Sequence, residues 1–407
     1  MKRILLVEPR WKVERDNFLE QIDMTNTFNR LIDIPAAASG TKFIKENVPG
    51  VELLEYPSTQ EYKSALSKNY NVVALSFRTY QLPDAIIMAK IAHEYGVPEV
   101  WGGGWGSMTP GINKHFDRVI IGPGENAMRE VLGYKPLPYF RHPIFINRGR
   151  ILFKRVKVGC LFTARGCNKG CKYCASPRFI HGRIFTPISE IERVLDIYQH
   201  EGVKYVLIYD ENFSLDEDRV WTVIKLLSER GLSWFCLTRA DDLLGRVEKL
   251  RNEGFIGALT GIESLRDENL RCWKKRENSD QIVQMIKEMN DNSCYTLGTY
   301  IFCAENDTLR SMREDIERLS SLEIPSVMPC ILTPFPGTPL FEKLKSRIID
   351  WNWRHWDDGH LVWEHPNVSP QQAQEILFDC AKTCNSLFGN ITFILKILIR
   401  RMAMRWS

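Results

Sequence analysis

The sequence predicts an α/β protein with a doubly wound, Rossmann-like domain first, a partial (β/α)6 barrel next and a small helical region last. Short apolar runs alternate with helical spacing in the first third, and a second series of strand–helix units follows an irregular stretch. A chain of 407 residues also exceeds what one hydrophobic core usually supports. We therefore place the first domain at residues 1–135, a linker at 136–154, the barrel at 155–345 and the helical region at 346–407.

The composition is that of an ordinary soluble globular protein, with 44% hydrophobic and 26% charged residues. A formal charge of +4 is too small to imply a nucleic-acid partner. The N-terminal "MKRILLVEPRW" does not resemble a signal peptide, because charged residues and a proline interrupt its apolar run. The odd number of cysteines, 11, argues against a disulfide framework and favours a reducing, cytoplasmic compartment.

The first domain is predicted to hold parallel strands separated by helices, of which residues 83–96 give the clearest helical pattern. The predicted strands begin at Arg3, Val51, Asn71, Pro98 and Asp117. Ligands of doubly wound sheets lie at the carboxyl ends of the strands. The last two strands lead there into the candidate binding residues Gly102, Gly103, Gly104, Gly122, Gly124 and Glu125. The alternative is that the glycines only shape turns.

The stretch from Gly133 to Arg150 is aromatic and contains prolines, so it reads as the connection between domains. Its residues 139–142 either border a groove for a substrate or cement the domain interface. At the far end, residues 391–407 are apolar, but basic residues interrupt them too soon for a membrane span. That segment reads as a packing helix or as a helix for a membrane surface or a partner.

The barrel series begins with an apolar strand that leads into "RGCNKGCKYC", residues 165–174. Further strands are predicted at 205–213, 233–241, 257–264, 295–302 and 326–335. Helical patterns separate them, as a partial barrel requires. Chemistry in such barrels sits at the carboxyl ends of the strands, so the cysteine-containing loop falls on that face.

Cys167, Cys171 and Cys174 form a C-x3-C-x2-C motif in this loop. A structural zinc site would need a fourth ligand, and Cys160 and His181 lie outside the usual zinc spacing. Three thiolates can instead hold three corners of an iron–sulfur cube and leave one iron open for a small molecule. The other cysteines have no convincing partners, so we expect one cluster.

With Tyr173 just before its last cysteine, the motif resembles the signature of the radical S-adenosylmethionine (radical SAM) enzymes. The resemblance implies a 4Fe-4S cluster held by the three cysteines, with Tyr173 in the catalytic site. It also implies that later strand ends hold S-adenosylmethionine through Glu211, Arg239, Glu263 and Ser264. The alternative is that these are ordinary strand-end residues.

A doubly wound domain ahead of such a barrel is similar to the cobalamin-binding domain of the cobalamin-dependent radical SAM subclass. The glycine-rich loops would let the backbone approach the corrin closely, and Arg78 and Tyr80 after the third strand are further candidate contacts. No D-x-H-x-x-G motif occurs, and His93 and His115 do not follow strand ends. The resemblance therefore implies a cobalamin without a protein imidazole below the cobalt.

Together these resemblances imply radical methylation of an unactivated carbon, with methylcobalamin and two S-adenosylmethionine molecules. The arrangement is similar to the methanogen enzyme that methylates the α-carbon of a glutamine in methyl-coenzyme M reductase, so the alpha subunit of that protein is the preferred substrate. A protein or peptide substrate, a ferredoxin or flavodoxin as electron donor and a monomeric state follow as expectations. The alternatives are a cobalamin-dependent radical SAM cyclase or oxidase of a small molecule, and a non-catalytic cobalamin- or redox-sensing protein.

Overall fold

The structure is a computed structural model that describes residues 2–9, 32–33, 39–151, 154–215 and 217–385. The predicted helix at 391–407 lies outside the described residues. Within them, no helix is long and apolar enough to cross a membrane.

The first domain has the strands β1 (Ile4–Glu8), β3 (Val51–Glu55), β4 (Val72–Ser76), β5 (Glu99–Gly103) and β6 (Arg118–Val119). Its helices are α1 (Ser39–Asn47), α2 (Thr59–Leu66), α3 (Leu82–Glu94) and α4 (Glu125–Val131). The strands form a parallel sheet in the order β3-β1-β4-β5-β6. This order confirms the predicted doubly wound topology.

Successive side chains of a strand point to opposite faces of a sheet. In this sheet helices pack on both faces, so the side chains on both are buried. Leu5 and Val7 of β1 pack in one core with residues of α2 and α3. Ile4 and Leu6 pack in a second core with residues of α1 and α4. The helices therefore cover the faces and leave the carboxyl ends of the strands open.

The barrel domain contains one large curled sheet. Its strands are β2 (Ile32–Asp33), β7 (Ile146–Ile151), β8 (Lys154–Leu161), β11 (Tyr205–Ile208), β12 (Ser233–Arg239), β13 (Phe255–Glu263), β14 (Tyr295–Phe302) and β15 (Ser326–Ile331). They run in the order β15-β14-β13-β12-β11-β8-β7-β2, and β9 (Ala164–Arg165) and β10 (Ile184–Phe185) form a separate antiparallel pair. The stretch from β8 to β15 is parallel, which confirms the predicted partial barrel.

Helices connect the barrel strands and pack outside them. They are α5 (Ser176–Phe179), α6 (Ile188–His200), α7 (Asp218–Glu229), α8 (Ala240–Leu243), α9 (Val247–Asn252), α10 (Asp267–Cys272), α11 (Ser279–Asp291), α12 (Leu309–Ser321) and α13 (Pro339–Leu344). Asn278 and Thr308 begin α11 and α12 with capping boxes, in which side chains satisfy backbone amides that have no helical partner. One continuous core joins these helices to the sheet.

The segment 136–154, predicted as a linker, contains a strand in its second half. β7 pairs antiparallel with β8, and β2 pairs antiparallel with β7, so both extend the barrel sheet. Basic residues and a glycine in this stretch hid the strand pattern from the sequence.

The first half of that segment joins the domains. His142 is fully buried, and its Nε2 accepts a hydrogen bond from the Phe162 amide at 2.9 Å. Phe43 of α1 packs edge-on to His142 and Phe162, with ring centroids 5.3 and 5.5 Å away. Burial lowers the pKa of His142 to about 4, so the ring is neutral at pH 7. These contacts favour the interface role over a substrate groove for residues 139–142.

The C-terminal region begins with two short 3-10 helices, Lys345–Arg347 and Trp353–His355, joined by irregular chain. An isolated antiparallel bridge joins Ile348 to Trp363, and the Trp363 indole donates a hydrogen bond to the Leu332 carbonyl at 2.9 Å. Helix α14 (Pro370–Cys384) follows and packs on α12 and β15. Buried tryptophans thus fasten an irregular segment across the open end of the barrel.

Candidate active site

Two consecutive acids after β11 hold the backbone that leads into residues 165–174, hereafter the cysteine loop. Asp210 accepts hydrogen bonds from Thr163, from its amide at 2.7 Å and from its hydroxyl at 2.5 Å. Glu211 accepts a hydrogen bond from the Gly166 amide at 2.8 Å. The second barrel strand therefore positions the loop that follows the first.

Cys167, Cys171 and Cys174 are free and converge in this loop. Burial, with a smaller contribution from the neighbouring thiols, raises the pKa of Cys167 and Cys174, that of Cys174 to about 11. A cationic centre is needed to hold such thiols as thiolates at neutral pH. In the described residues no three cysteine, histidine or carboxylate side chains could hold a single metal ion. This arrangement fits a cluster, which spreads its thiolates over different irons, better than zinc.

Arg239 lies beside the cysteines but is held by carboxylates. Its Nη1 lies 3.7 Å from the Cys171 sulfur, and its Nε donates to Asp241 at 2.8 Å. It also donates to the buried Glu277. Lys275, whose side chain is 3% exposed, lies 2.7 Å from Glu277 on the other side. The result is a buried network of alternating charges next to the cysteine loop.

Glu263 ends β13 with a φ of +61° and connects this network to Tyr173. It accepts a hydrogen bond from Thr299 at 3.2 Å and one from the Tyr173 hydroxyl. Burial raises the pKa of Glu263, and the charge of Lys275 opposes that rise. Tyr173 also packs edge-on against Trp273, with centroids 5.6 Å apart.

A cavity of about 480 Å³ lies over this end of the barrel, hereafter the barrel cavity. Tyr173, Cys174 and Glu263 form one wall. The residues that form the rest of it come from the first domain, β14, β15 and the C-terminal segment, among them Arg78, Tyr80, Trp105, Thr299, Cys330, Phe335, Trp356, Asp357 and Asp358. A cavity of this size accommodates one ligand of ordinary cofactor or drug size.

A second cavity, hereafter the sheet cavity, lies at the carboxyl ends of the first domain's strands and has a volume of about 200 Å³. The predicted binding residues Arg78, Gly102, Gly103, Gly104, Gly122, Gly124 and Glu125 all line it. Phe162, Arg165 and Glu211 close it from the barrel side. None of its described lining residues is a histidine.

Two of the glycines are required by the backbone. Gly104 has φ +77° and ψ −171°, a region essentially restricted to glycine, and an added Cβ would lie 2.7 Å from the Phe77 carbonyl oxygen. Gly122 has φ +91°, and its Cβ would lie 2.9 Å from the Phe179 carbonyl oxygen. Gly104 and Gly122 are therefore needed to form the turns, whether or not they also contact a ligand.

The two cavities meet at a tight domain junction. Trp105 stacks on Phe179 with centroids 4.5 Å apart, and Arg165 donates to the fully buried Glu125 at 2.6 Å. One oxygen of Glu125 and one nitrogen of Arg165 stay buried without a hydrogen-bond partner. Arg78 and Trp105 line both cavities. A ligand in one cavity would therefore face a ligand in the other.

The remaining residues that were predicted to bind cofactors do not all line the same cavity. Tyr80 lines the barrel cavity and not the sheet cavity, whereas Glu211 does the reverse. Arg239 and Ser264 line neither, and Ser264 accepts a hydrogen bond from the Arg266 amide at 3.1 Å. Their predicted contacts with S-adenosylmethionine stay predictions.

Three residues of this site were missed by the sequence reasoning. Lys275 and Glu277 sit in "KKREN", a charge run that looks like solvated surface. Asp358 lies in "HWDDGHLVW", where an acidic pair among aromatic residues was a usable signal.

Comparison with known proteins identifies the central part of the chain. Residues 161–319 match the family model of the radical SAM superfamily, so the barrel is a radical SAM domain. The bacteriochlorophyllide d C-12(1)-methyltransferase of Chlorobaculum tepidum is 24% identical over 335 residues, 75% of this chain and 73% of that protein. An uncharacterized methyltransferase of Pyrococcus horikoshii is 24% identical over 354 residues, covering 75% and 77%. These similarities indicate an enzyme and do not support the non-catalytic alternative.

Two solved structures share the fold over most of this chain. The radical S-adenosylmethionine methyltransferase TsrM of Kitasatospora setae, with cobalamin and a 4Fe-4S cluster bound, has a TM-score of 0.65, 15% identity and coverage of 85% of this chain and 78% of that one. The cobalamin-dependent radical enzyme OxsB, with aqua-cobalamin and S-adenosylmethionine bound, has a TM-score of 0.64, 13% identity and coverage of 92% and 66%. At these identities the likeness establishes the fold.

Proposed function

We propose that this radical SAM protein is a cobalamin-dependent methyltransferase that acts on an unactivated carbon. The observation that carries the proposal is the junction of the two cavities, with Arg78 and Trp105 in the walls of both. A methyl donor in the sheet cavity would face a substrate in the barrel cavity across these side chains. The TsrM and OxsB structures, with cobalamin bound to the same overall fold, support this arrangement.

The residues fit the proposed cofactors. Cys167, Cys171 and Cys174 would hold a 4Fe-4S cluster, and Tyr173 with Glu263 would border S-adenosylmethionine in the barrel cavity. Cobalamin would rest on the glycine-lined strand ends, with part of it in the sheet cavity, since 200 Å³ encloses only a portion of so large a ligand. When bound, these cofactors supply a carbon-centred radical and a transferable methyl group.

The chain itself contributes placement and the exclusion of water. Glu211 and Asp210 fix the cysteine loop, and the network of Arg239, Glu277 and Lys275 fixes the wall beside it. Trp105, stacked on Phe179, borders the junction between the cavities and would help to exclude water from it.

For the substrate we propose a glutamine in the alpha subunit of methyl-coenzyme M reductase, methylated at its α-carbon. This rests on overall likeness in the sequence. A barrel cavity of about 480 Å³ would be largely filled by S-adenosylmethionine, which leaves room for one side chain of a protein segment. An electron carrier such as a ferredoxin or flavodoxin, a monomeric state and a cytoplasmic location belong to the same proposal.

A second candidate substrate is a chlorin, because two relatives are named as bacteriochlorophyllide d methyltransferases, of C-12(1) and of C-8(2). A peripheral substituent of a flat macrocycle would enter the barrel cavity as a single side chain does. Incubating the reduced, reconstituted protein with each substrate, and then measuring product mass, distinguishes the two.

The test of the proposed reaction is the pair of by-products. Methylation should yield one S-adenosylhomocysteine and one 5′-deoxyadenosine for each methylated product. Deoxyadenosine without S-adenosylhomocysteine would instead indicate a cyclase or oxidase. Absence of both with every substrate and reductant would contradict the proposal.

A further inference from the structure

Hydrogen bonds and a buried tryptophan hold the segment that carries Asp358. Trp356 is fully buried, and its indole donates to the Asp350 carbonyl at 3.2 Å. Asp357 accepts the Gly359 amide at 3.0 Å and lies 3.0 Å from Nδ1 of His360. Hydrogen bonds therefore hold the turn, and the polar side chain next to Asp358 already has partners.

Asp358 itself has a left-handed backbone, with a φ of +64°, an uncommon conformation for a residue with a side chain. Its carbonyl accepts a hydrogen bond from the Ile331 amide at 2.7 Å, which ties the strained turn to the last barrel strand. No hydrogen bond or ion pair from the described residues reaches its carboxylate, which lines the barrel cavity. The fold thus holds an unpaired carboxylate at one end of the cavity.

The surroundings of this carboxylate are aromatic and negatively charged. Tyr80, Trp105, Phe335 and Trp356 line the same cavity. Asp357 and Glu263 add negative charge, and Arg78 is the cation whose charge acts on Asp358. Burial and the two other acids outweigh Arg78 and raise the pKa of Asp358 to about 7. Such a wall suits a flat group that carries N–H donors or a positive charge.

We propose that Asp358 is a substrate-positioning residue that accepts hydrogen bonds from a nitrogen-bearing group of the substrate, such as an amide, an amine or an amidine. This inference rests on the proposed function, because it assigns the barrel cavity to substrate. A carboxylate that lines a cavity without a partner loses its hydration when a ligand enters, so a substrate with N–H donors is favoured over one that offers only apolar groups. The side-chain amide or the backbone amide of a glutamine residue meets this requirement.

The probe is benzamidine, a flat amidinium that pairs with a carboxylate through two hydrogen bonds, compared with the neutral benzyl alcohol. Binding to the reconstituted full chain with saturating S-adenosylmethionine is measured by calorimetry. We expect benzamidine to bind more tightly than benzyl alcohol, and Asp358→Asn to weaken benzamidine about tenfold or more while benzyl alcohol is unchanged. Asp350→Asn, in the same segment but outside the cavity, is the matched control and should bind benzamidine as the parent protein does.

Equal affinity of the parent protein and Asp358→Asn for benzamidine would overturn the inference. So would a loss in Glu263→Gln but not in Asp358→Asn, since the cation would then bind at the other acid. Iron content and deoxyadenosine formation are measured on the same samples without benzamidine. Failure of those measurements would count against the proposed function, whereas intact chemistry with unchanged benzamidine binding would count against Asp358 alone.

Discussion

Different kinds of residues form the carboxyl ends of the strands in the two sheets. In the first domain this edge is formed largely by glycine loops and backbone, with Gly104 and Gly122 in conformations that other residues avoid, and Arg78 and Glu125 add charged groups. In the barrel the same edge consists of buried charges, with Lys275 and Arg239 paired to Glu277 beside the cysteine loop. The first edge accommodates a ligand by shape, and the second fixes one by charge.

This difference shows how one chain can bind two kinds of ligand at two separate sheet edges. A large rigid ligand needs open surface and close backbone approach, which side chains would obstruct. A cluster and a small charged cofactor need fixed electrostatic partners in a site that excludes water. The two edges should therefore respond differently to substitution.

Removal of the cluster ligands should separate the two edges most completely. Replacing Cys167, Cys171 and Cys174 together by alanine should remove the iron and abolish deoxyadenosine formation, because the thiolates are the expected cluster ligands. Cobalamin should stay bound, as the first edge is untouched. Iron and cobalt analysis checks this, with Cys380→Ala and Cys384→Ala together as the control. A triple variant that keeps its full iron content would refute the ligand assignment.

Breaking the buried network should destabilise the barrel strongly. Lys275→Met leaves Glu277, whose side chain is fully buried, with one cation fewer and should lower the free energy of unfolding by about 3–5 kcal/mol. Lys225→Met is the matched control, because its partner Glu229 is exposed and such pairs contribute about 0.5 kcal/mol. Chemical denaturation measures both. If both variants lowered the free energy of unfolding by a similarly small amount, the charges of the buried network would not stabilise the barrel.

The first edge should be sensitive to bulk instead of charge. Gly104→Ala should cost about 2 kcal/mol or more, because the backbone is strained for alanine and the new methyl group meets the Phe77 carbonyl. Gly103→Ala should cost less, since the nearest atoms to its Cβ lie 3.8 Å away. Equal losses of unfolding free energy in the two variants would contradict the backbone argument.

The smallest expected effect concerns pH and Asp358. Its folded pKa is raised to about 7, so the folded protein binds an extra proton below that value and loses stability as pH rises from about 4 to 7. A shift of this size corresponds to at most about 4 kcal/mol, and solvent at this partly exposed side chain screens most of it. Asp358→Asn removes the loss and should therefore raise the unfolding free energy at pH 8 by about 1 kcal/mol, with less change at pH 4. Denaturation curves at the two pH values measure it. A variant that is destabilised at pH 8 would show that the carboxylate has a structural partner.

The elements and the cysteine loop could be predicted because their signals are local. β14 has the predicted bounds 295–302, since an apolar run with clear turn residues fixes both ends. Cys167 to Cys174 could be found for the same reason, as their spacing lies within one loop. The predicted glycines line the sheet cavity because strand ends of a parallel sheet meet at one edge.

What could not be predicted depends on contacts between distant parts of the chain. Lys275 and Glu277 are buried in a segment whose Trp273 carbonyl accepts a hydrogen bond from the Lys172 amide of the cysteine loop, about a hundred residues earlier, and nothing in their own segment signals burial. β7 gains its pairing from β8 and β2, although its basic sequence lacks a strand pattern. Asp358 reaches the cavity only because buried tryptophans fasten its segment across the barrel.

Paramagnetic resonance of the reconstituted protein in the cob(II)alamin form tests the account of the first edge most directly. Because no described residue lining the sheet cavity is a histidine, the cobalt should bind without an imidazole below it. We also expect cobalamin to bind with its own dimethylbenzimidazole displaced from the cobalt, so the account predicts about one cobalt per chain and cobalt lines without nitrogen superhyperfine splitting. Nitrogen splitting, or a protein that takes up iron but no cobalamin, would contradict it.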